Sequence, residues 1–198
     1  SGNYSISIQE GLHTITPLLV NPNYYTISPS NLQVNFPTES NPFNQNFCIT
    51  PNGSYNDLEI AIIPISAARP GFDATYKIIY KNVGTTVISG TVNYYFNDDV
   101  SDFISSEPSI SNQTAGILTW DYSSLKPLET REISFTLNVN TPMESPAVNI
   151  GDVLSYSTTI FPLKDDETPS NNGIGHRQTV VGSYDPNDKT CLEGNVVS

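Results

Sequence analysis

Clusters of closely spaced carboxylates are the residues of this chain best suited to chemistry. They are Asp98, Asp99 and Asp102; Asp165, Asp166 and Glu167; and Asp185 with Asp188. Glycoside hydrolysis needs two carboxyl groups that face each other across a cleft, roughly 5 to 10 Å apart, with one of them desolvated. Each cluster here falls in a predicted turn open to water, so we expect no glycosidase centre.

Calcium binding is the second chemistry that the carboxylates could support, because Ca²⁺ takes about six to eight oxygen ligands. An EF-hand loop beginning at Asp185 fails, since Lys189 stands at its fifth position and Thr190 stands where the bend requires glycine. Irregular sites between loops have no sequence signature. Calcium is therefore the one cofactor left open, beside the alternative of solvated turns, at two places: Asp165, Asp166 and Glu167, or Asp185, Asn187 and Asp188.

Nucleophilic catalysis lacks its usual residue pattern. The two histidines, His13 and His176, are far apart in the sequence, and no Gly-Xaa-Ser-Xaa-Gly motif is present. Cys48 has none of the local sequence of a cysteine nucleophile. We interpret both histidines as exposed residues at strand ends, and we expect the chain not to be an enzyme.

Cys48 and Cys191 are the two cysteines of the chain. They lack the CxxC spacing, and a structural zinc site usually takes four Cys or His ligands, so zinc is not predicted. A disulfide between them would close a very long loop and would stabilise the fold by about 4 to 5 kcal/mol in the chain-entropy model. The alternative is two unpaired cysteines, one packed in a strand and one in a connector; both hypotheses stay open.

Eleven tyrosines suggest a surface that stacks on sugar rings. The adjacent pairs are Tyr24 with Tyr25 and Tyr94 with Tyr95, and successive residues of a strand point to opposite faces. One ring of each pair is therefore expected in the core, which leaves Tyr25 and Tyr95 as candidate ligand-binding residues. Trp120 is interpreted as a core anchor.

The charge of the chain excludes some partners. Eight basic and twenty acidic residues give a net charge of −12, which repels nucleic-acid phosphates and anionic lipid. No run approaches the roughly 20 apolar residues that a membrane-spanning helix needs, so no membrane insertion is predicted. Neutral polar residues dominate the surface composition, as suits an extracellular β protein, and we interpret the chain as a piece of a longer polypeptide.

Apolar residues recur with a period of two, which is typical of half-buried antiparallel strands. Fifteen prolines leave few windows for a helix, so almost none is expected. The pattern predicts an all-β, immunoglobulin-like antiparallel β-sandwich with these strands: Leu58 to Ile65, Thr75 to Lys81, Thr91 to Phe96, Phe103 to Ser106, Gly116 to Asp121, Thr130 to Asn140, Asp152 to Phe161 and His176 to Val181.

The chain divides into two modules on this basis. Residues 1–52 are predicted to form a smaller β-sandwich module, either complete or partial, with strand-like pieces at Asn3 to Gln9, Leu12 to Leu19, Tyr24 to Ser28, Asn31 to Phe36 and Gln45 to Thr50. Residues 53–57 are predicted to be a hinge, because Gly and Asx residues replace the apolar period. Residues 58–182 are the sandwich, and residues 183–198 are a linker or a strand donated to a neighbour.

Several motifs carry a resemblance to a known family. They are Ala68-Arg69-Pro70-Gly71-Phe72-Asp73-Ala74-Thr75-Tyr76-Lys77, Tyr80-Lys81-Asn82-Val83-Gly84, Leu118-Thr119-Trp120, Asn149-Ile150-Gly151-Asp152 and Tyr184-Asp185-Pro186-Asn187-Asp188-Lys189. Together they resemble the immunoglobulin-like stalk modules, with a DPNDK linker, of Bacteroidetes (flavobacterial) surface proteins exported by the type IX secretion system. Residues 2–5 and 11–15 resemble the closing half of transthyretin-like or carboxypeptidase-regulatory-like domains.

The resemblance implies a location and an architecture but no catalytic residue. It implies a structural or spacer module, secreted to the cell surface at the exterior of the outer membrane, whose partners are neighbouring β-sandwich modules of the same polypeptide. Two alternatives stay open. One is an adhesin or carbohydrate-binding module that contacts surface glycans through tyrosines, with or without calcium. The other is a segment recognised by outer-membrane components of the secretion apparatus.

Overall fold

The computed structural model describes residues 2–19 and 21–182. This part of the chain is almost all β, with one short 3₁₀ turn at Pro169–Asn171 and no α-helix among the described residues. The strands are β1 (Gly11–Ile15), β2 (Tyr25–Ser28), β3 (Leu32–Phe36), β4 (Cys48–Pro51), β5 (Leu58–Pro64), β6 (Asp73–Asn82), β7 (Ile88–Tyr95), β8 (Ser101–Glu107), β9 (Asn112–Thr114), β10 (Ile117–Leu125), β11 (Thr130–Val139), β12 (Val153–Phe161) and β13 (Gly173–Thr179). No helix in the described ranges is long and apolar enough to cross a membrane.

Strands β5 to β13 form an antiparallel sandwich of two sheets. One sheet has the order β5-β6-β11-β8, and the other has the order β13-β12-β7-β10-β9. In chain order the first sheet corresponds to positions A, B, E and D of an immunoglobulin domain, and β13-β12-β7 corresponds to G, F and C. The β9-β10 hairpin extends the second sheet beyond β7. The predicted all-β, immunoglobulin-like sandwich is confirmed.

Alternation along the strands builds the sandwich core. In β6, Tyr76, Ile78 and Tyr80 are buried while the residues between them are half-buried. The neighbouring β11 aligns Phe135 with Tyr76 and Ile133 with Ile78. Because the side chains of a strand alternate between its two faces, two aligned antiparallel strands place their apolar residues on the same face of the sheet.

An aromatic pair joins the two sheets at the centre of this core. Tyr76 of β6 and Tyr156 of β12 lie edge to face, with ring centroids 5.4 Å apart, and the Tyr76 hydroxyl lies 3.3 Å from that of Tyr156. These strands occupy the positions that carry the inter-sheet disulfide in antibody domains. Trp120 is 2% exposed and its indole N–H donates to the carbonyl of Pro108 at 3.1 Å, which confirms its prediction as a core anchor.

The N-terminal residues form two small sheets, β1-β3 and β2-β4. Their buried apolar side chains are Tyr25 and Val34. The strand predicted at Asn3 to Gln9 is wrong for this structure, which assigns no strand there. Alternation alone does not make a strand, because the backbone also needs a hydrogen-bonding partner, and within the described residues the main chain of residues 3–8 has none.

One strand of the sandwich was missed by sequence reasoning. It is β9, Asn112–Thr114, which pairs with β10 and is exposed at all three positions. The segment contains no apolar residue, so no hydrophobic period marks it. Its pairing comes from the β9-β10 turn at Gly116, whose φ of 68° favours glycine.

Candidate functional site

A series of hydrogen bonds joins residues 53–57 to the loop 83–86 of the sandwich, and we call this region the junction. Val83 N–H and Gly84 N–H both donate to the carbonyl of Asp57, at 2.8 and 3.1 Å. Thr85 N–H donates to the carbonyl of Tyr55 at 2.8 Å, and Tyr55 N–H donates back to the Thr85 hydroxyl at 2.8 Å. The segment predicted to be a hinge is thus bonded to the sandwich along its length.

The Tyr80-Lys81-Asn82-Val83-Gly84 motif builds the sandwich side of this junction. Asn82 is fully buried; its side-chain amide donates to the carbonyls of Thr86 and Leu125, and its Oδ1 accepts from Gly84 N–H at 3.0 Å. A Cβ on Gly84 would lie 2.7 Å from the backbone nitrogen of Asp57 and would collide with the carbonyl oxygen of Tyr55. The motif therefore needs glycine for close backbone approach.

Two adjacent tyrosines attach the N-terminal module to this junction. The Tyr24 hydroxyl donates to Asp57 Oδ2 at 2.8 Å, and its ring stacks on Tyr55 with centroids 4.3 Å apart. The Tyr25 hydroxyl donates to the carbonyl of Gly84. Tyr25 is 6% exposed, which corrects the expectation that its ring faces solvent as a ligand-binding residue. The face of β2 that carries Tyr25 is the one that packs against the sandwich.

Asp57 is the electrostatic centre of the junction. Its side chain is 3% exposed, and its Oδ1 has no hydrogen-bond partner among the described residues. Burial raises the pKa of this carboxyl, the Tyr24 hydrogen bond lowers it, and the negative charges of Asp166, Glu59 and Glu167 raise it further. Burial together with the bond to Asp57 also raises the pKa of Tyr24 to about 12. The junction thus holds a carboxyl that is costly to ionise.

The acidic triplet Asp165, Asp166 and Glu167 lies against the same junction. Asp166 Oδ2 accepts from Leu58 N–H and its Oδ1 accepts from Thr168 N–H, both at 2.9 Å. Glu167 N–H donates to the carbonyl of Asn56 at 2.8 Å. Both oxygens of Asp166 are therefore engaged by the backbone, and the carboxylate pins this loop to the start of β5.

In the described ranges, no arrangement of side chains supports the calcium hypothesis. No group of three or more Asp, Glu, His or Cys side chains there is arranged to hold a metal ion. Asp185, Asn187 and Asp188 lie outside the described residues, so the hypothesis at that place stays a prediction. Asp98, of the first acidic cluster, accepts from Gly116 N–H at 2.8 Å and supports the β9-β10 turn.

The remaining candidates are scattered over the fold. Cys48 is exposed on β4, and Cys191 lies outside the described residues, so the disulfide stays a prediction. Tyr95 is half-buried beside the fully buried Tyr94, as alternation predicted for one ring of the pair. His176 is half-buried within β13 and stacks on Tyr156 with centroids 6.4 Å apart, which corrects the expectation of an exposed strand-end imidazole.

Sequence reasoning missed the pairing of Tyr24 with Asp57. In the sequence, Tyr24 belongs to a tyrosine pair and Asp57 belongs to an Asx-rich turn. No local signal joins positions 33 residues apart, because the contact depends on how β2 is placed against the loop before β5. A buried carboxylate needs a hydrogen-bond partner. Asking which side chain pairs with Asp57, the last residue before a strand, was therefore the one way to predict this contact.

Comparison with known proteins gives no family assignment. No protein-family model matches the chain, and no curated protein matches it in sequence. Among solved structures, the CARDB domain of a Pyrococcus furiosus protein, in complex with di-metal ions, is similar at 20% identity and a TM-score of 0.45, covering 66% of this chain and 94% of that one.

Two further structures show weaker similarity. Domains 4 and 5 of the S-layer protein SbsC match at 14% identity and a TM-score of 0.35, covering 86% of this chain and 75% of that one. CaCohA2 from Clostridium acetobutylicum matches at 11% identity and a TM-score of 0.40, covering 64% of this chain and 92% of that one. The assignment of the fold rests on the strand order of the chain itself.

Proposed function

We propose that the chain is a non-catalytic structural module of a secreted cell-surface protein. It holds neighbouring β-sandwich modules of the same polypeptide in line and away from the outer membrane. The observation that supports this most directly is the junction. Residues 53–57, the connector between the two modules, are hydrogen-bonded to the loop 83–86 and covered by Tyr24 and Tyr25. In a flexible tether these five residues would make no such bonds.

The geometry of the sandwich suits such a role. β6 aligns with β5 from Leu58 to Pro64 on one side and with β11 over nine residue pairs on the other. Tension along the chain would have to break these antiparallel ladders together with the junction bonds. Resistance to unfolding and to proteases is governed by the barrier to such disruption, so a bonded connector contributes to it directly.

The compartment and the route of export are proposed from the sequence motifs. The Tyr80-Lys81-Asn82-Val83-Gly84 and Asp185-Pro186-Asn187-Asp188-Lys189 motifs resemble those of Bacteroidetes stalk modules, and the composition is acidic and rich in neutral polar residues. We place the parent protein at the cell surface of such a bacterium and propose type IX secretion as its route. Labelling of intact cells with a membrane-impermeant, amine-reactive reagent tests the location: modification of the lysines of the module supports it, and modification only after the cells are lysed contradicts it.

Sugar binding is not part of the proposal. Tyr25 is buried at the junction, and Tyr95 is a single half-buried ring on the five-stranded sheet. One partly covered ring gives little area for stacking, and no second exposed aromatic residue stands beside it on β7.

A module exchange in the parent protein tests the spacer role. Residues 1–182 are deleted in one strain and are replaced in another by an unrelated immunoglobulin-like module of similar length. A spacer predicts that the function of the parent is lost on deletion and returns with the unrelated module. Failure of the replacement, with normal surface display, would show instead that the surface of this module makes a specific contact.

A further inference from the structure

The core of the sandwich contains a group of hydroxyls to which both sheets contribute. Tyr76 of β6 and Ser101 of β8 belong to one sheet, and Tyr94 of β7 and Tyr156 of β12 belong to the other. All are buried: Tyr76 and Tyr94 are 0% exposed, Ser101 is 1% and Tyr156 is 5%. A buried hydroxyl without a hydrogen bond costs free energy, so each of these groups should have a partner.

The four side chains are close enough to form one hydroxyl cluster. The ring centroid of Tyr94 lies 5.6 Å from that of Tyr156 and 6.4 Å from that of Tyr76. Burial raises the pKa of Tyr94, and the nearby hydroxyls of Tyr156 and Tyr76 raise it further. Burial also raises the pKa of Tyr156, whereas the hydroxyls of Tyr76 and Ser101 lower it. Ser101 is therefore near enough to act on Tyr156, although its hydroxyl makes no hydrogen bond of good geometry to any described residue.

The donors and acceptors at Tyr76 can be assigned. Gln178 Nε2 donates to the carbonyl of Ser66 at 2.9 Å, so Gln178 Oε1 is the atom that faces Tyr76. This oxygen can only accept, and the Tyr76 hydroxyl, 2.7 Å away, has a single hydrogen to give. Tyr76 therefore donates to Gln178. In its contact with Tyr156, at 3.3 Å, the donor must then be Tyr156.

This assignment leaves two hydrogens and an acceptor unused in the cluster. The hydroxyls of Tyr94 and Ser101 have no partner within the described part of the chain. Tyr156 gives its hydrogen to Tyr76, so a lone pair remains on its oxygen. Water fits this set, because it accepts and donates, and a buried water usually makes about three hydrogen bonds to groups that have no other partner. We propose that an internal water molecule binds at the hydroxyl cluster, where it accepts from Tyr94 and Ser101 and donates to Tyr156.

Solvent can reach the edge of this cluster. A cavity of about 190 Å³ is lined by Leu154, by Tyr156 and by Val100, the residue before Ser101. The bound water would join Ser101 of the first sheet to Tyr94 and Tyr156 of the second. It would do so beside the Tyr76-Tyr156 pair, at the strand positions that carry a disulfide in antibody domains. The water therefore acts as a non-covalent bridge between the sheets.

Urea unfolding of Tyr94→Phe tests the proposal. If the hydroxyl is bonded to water, its loss should raise the equilibrium constant for unfolding by about fivefold. If the hydroxyl has no partner, its removal relieves a desolvation cost, and a variant that is as stable as the parent protein or more stable would overturn the proposal. Tyr95→Phe is the matched control, since it removes the same atom from the opposite face of β7, where the hydroxyl accepts from Asn93 at 3.3 Å. We expect a much smaller change in this variant.

Oxygen-17 magnetic relaxation dispersion tests the water directly, because it counts the water molecules that stay inside a protein for longer than the protein takes to tumble. The count should fall by about one in Tyr94→Phe/Ser101→Ala and should be unchanged in Tyr95→Phe/Ser105→Ala, in which Ser105 is an exposed residue of β8. Thermal unfolding establishes that each variant is folded. An equal count in the parent protein and Tyr94→Phe/Ser101→Ala would contradict the site.

A double-mutant cycle on the same variants tests whether the two hydroxyls share one water. The changes in the free energy of unfolding for Tyr94→Phe and Ser101→Ala should not add, because either change already disrupts the bridge. Additive effects would show that the two hydroxyls act independently, which contradicts a shared water.

Discussion

The hydroxyl of Tyr24 lies 2.8 Å from Oδ2 of Asp57, and this bond joins the N-terminal module to the residue that precedes the first strand of the sandwich. Asp57 is 3% exposed, and its second oxygen has no partner among the described residues. A hydrogen bond to a buried carboxylate is stronger than one between neutral groups. The bond is therefore a sensitive probe of how the two modules are held together.

Replacing Tyr24 by phenylalanine should destabilise the protein. Tyr24→Phe leaves a buried carboxylate without its donor, which costs about 1 to 3 kcal/mol. Urea unfolding of the parent protein and the variant measures the difference. Tyr55→Phe is the control, because it alters the other ring of the same stack while its hydroxyl has no hydrogen-bond partner within the described ranges. If Tyr24→Phe is as stable as Tyr55→Phe and the parent protein, ring packing alone holds the junction, because both variants keep the stacked rings.

The stability of the protein should depend on pH through Asp57. Burial raises the pKa of this carboxyl in the folded state, so the folded protein binds more protons than the unfolded one between the ordinary Asp value of 3.8 and the raised pKa. The free energy of unfolding should therefore fall as pH rises through this window and stay level above it. The contribution of Asp57 is thus most favourable below the window, when the carboxyl is protonated in both states.

Asp57→Asn isolates this contribution, since an amide cannot ionise and still accepts from Tyr24. Urea unfolding at a series of pH values should show a flatter profile for Asp57→Asn than for the parent protein. Asp121→Asn, at an exposed position, provides the control and should follow the parent profile. Superimposable profiles for the parent protein and Asp57→Asn would assign the pH dependence to other carboxyl groups.

Gly84 should not tolerate a side chain. The Cβ of Gly84→Ala would meet the carbonyl oxygen of Tyr55 and, at 2.7 Å, the nitrogen of Asp57, both of which are backbone atoms that move only with the junction. We expect a loss of about 1 to 3 kcal/mol, as for other cases of overpacking. In Gly175→Ala the Cβ would lie 3.8 Å from its nearest neighbour, an ordinary contact, so thermal unfolding of this control should change much less.

Asp166 should stabilise the fold without calcium. Asp166→Ala removes the acceptor of Leu58 N–H and Thr168 N–H, and we expect a loss of about 1 to 3 kcal/mol. The melting temperature should fall by the same amount with calcium and with a chelator. Asp165→Asn, which keeps a residue type that tolerates the φ of 63° at this position, is the control and should melt like the parent protein. A calcium-dependent rise in the parent protein that Asp166→Ala abolishes would establish the metal site instead.

The sandwich was largely predictable from the sequence because its strands are long and carry their apolar residues on one face. Thr130–Val139 alternates throughout, and the predicted strand Thr130 to Asn140 differs from it by one residue. The strand predicted at Asn3 to Gln9 alternates as well, yet it lacks a partner, whereas Asn112–Thr114 has a partner and no alternation. Periodicity reports which face is apolar, and hydrogen bonding to a neighbour decides whether a strand forms.

The candidate site was predictable only in its separate parts. Sequence reasoning recognised each part but gave it another role. It interpreted the Tyr24-Tyr25 pair as a candidate sugar-stacking surface and the Asx-rich turn as a hinge. It recognised Tyr80-Lys81-Asn82-Val83-Gly84 only as a family motif. Their assembly depends on contacts such as Tyr25 with Gly84, 59 positions apart. Local propensity carries no information about such separations, so the buried face of Tyr25 could not be assigned.

The amino-acid sequence by itself determined an all-β chain, acidic and poor in helix, because these properties follow from composition and from a period of two. Only the tertiary structure decided that residues 53–57 are bonded to the sandwich, that Asp57 is buried among other carboxylates and that Asp166 binds backbone amides. The physical reason is that the burial and pairing of a polar group are set by whatever the rest of the chain places beside it.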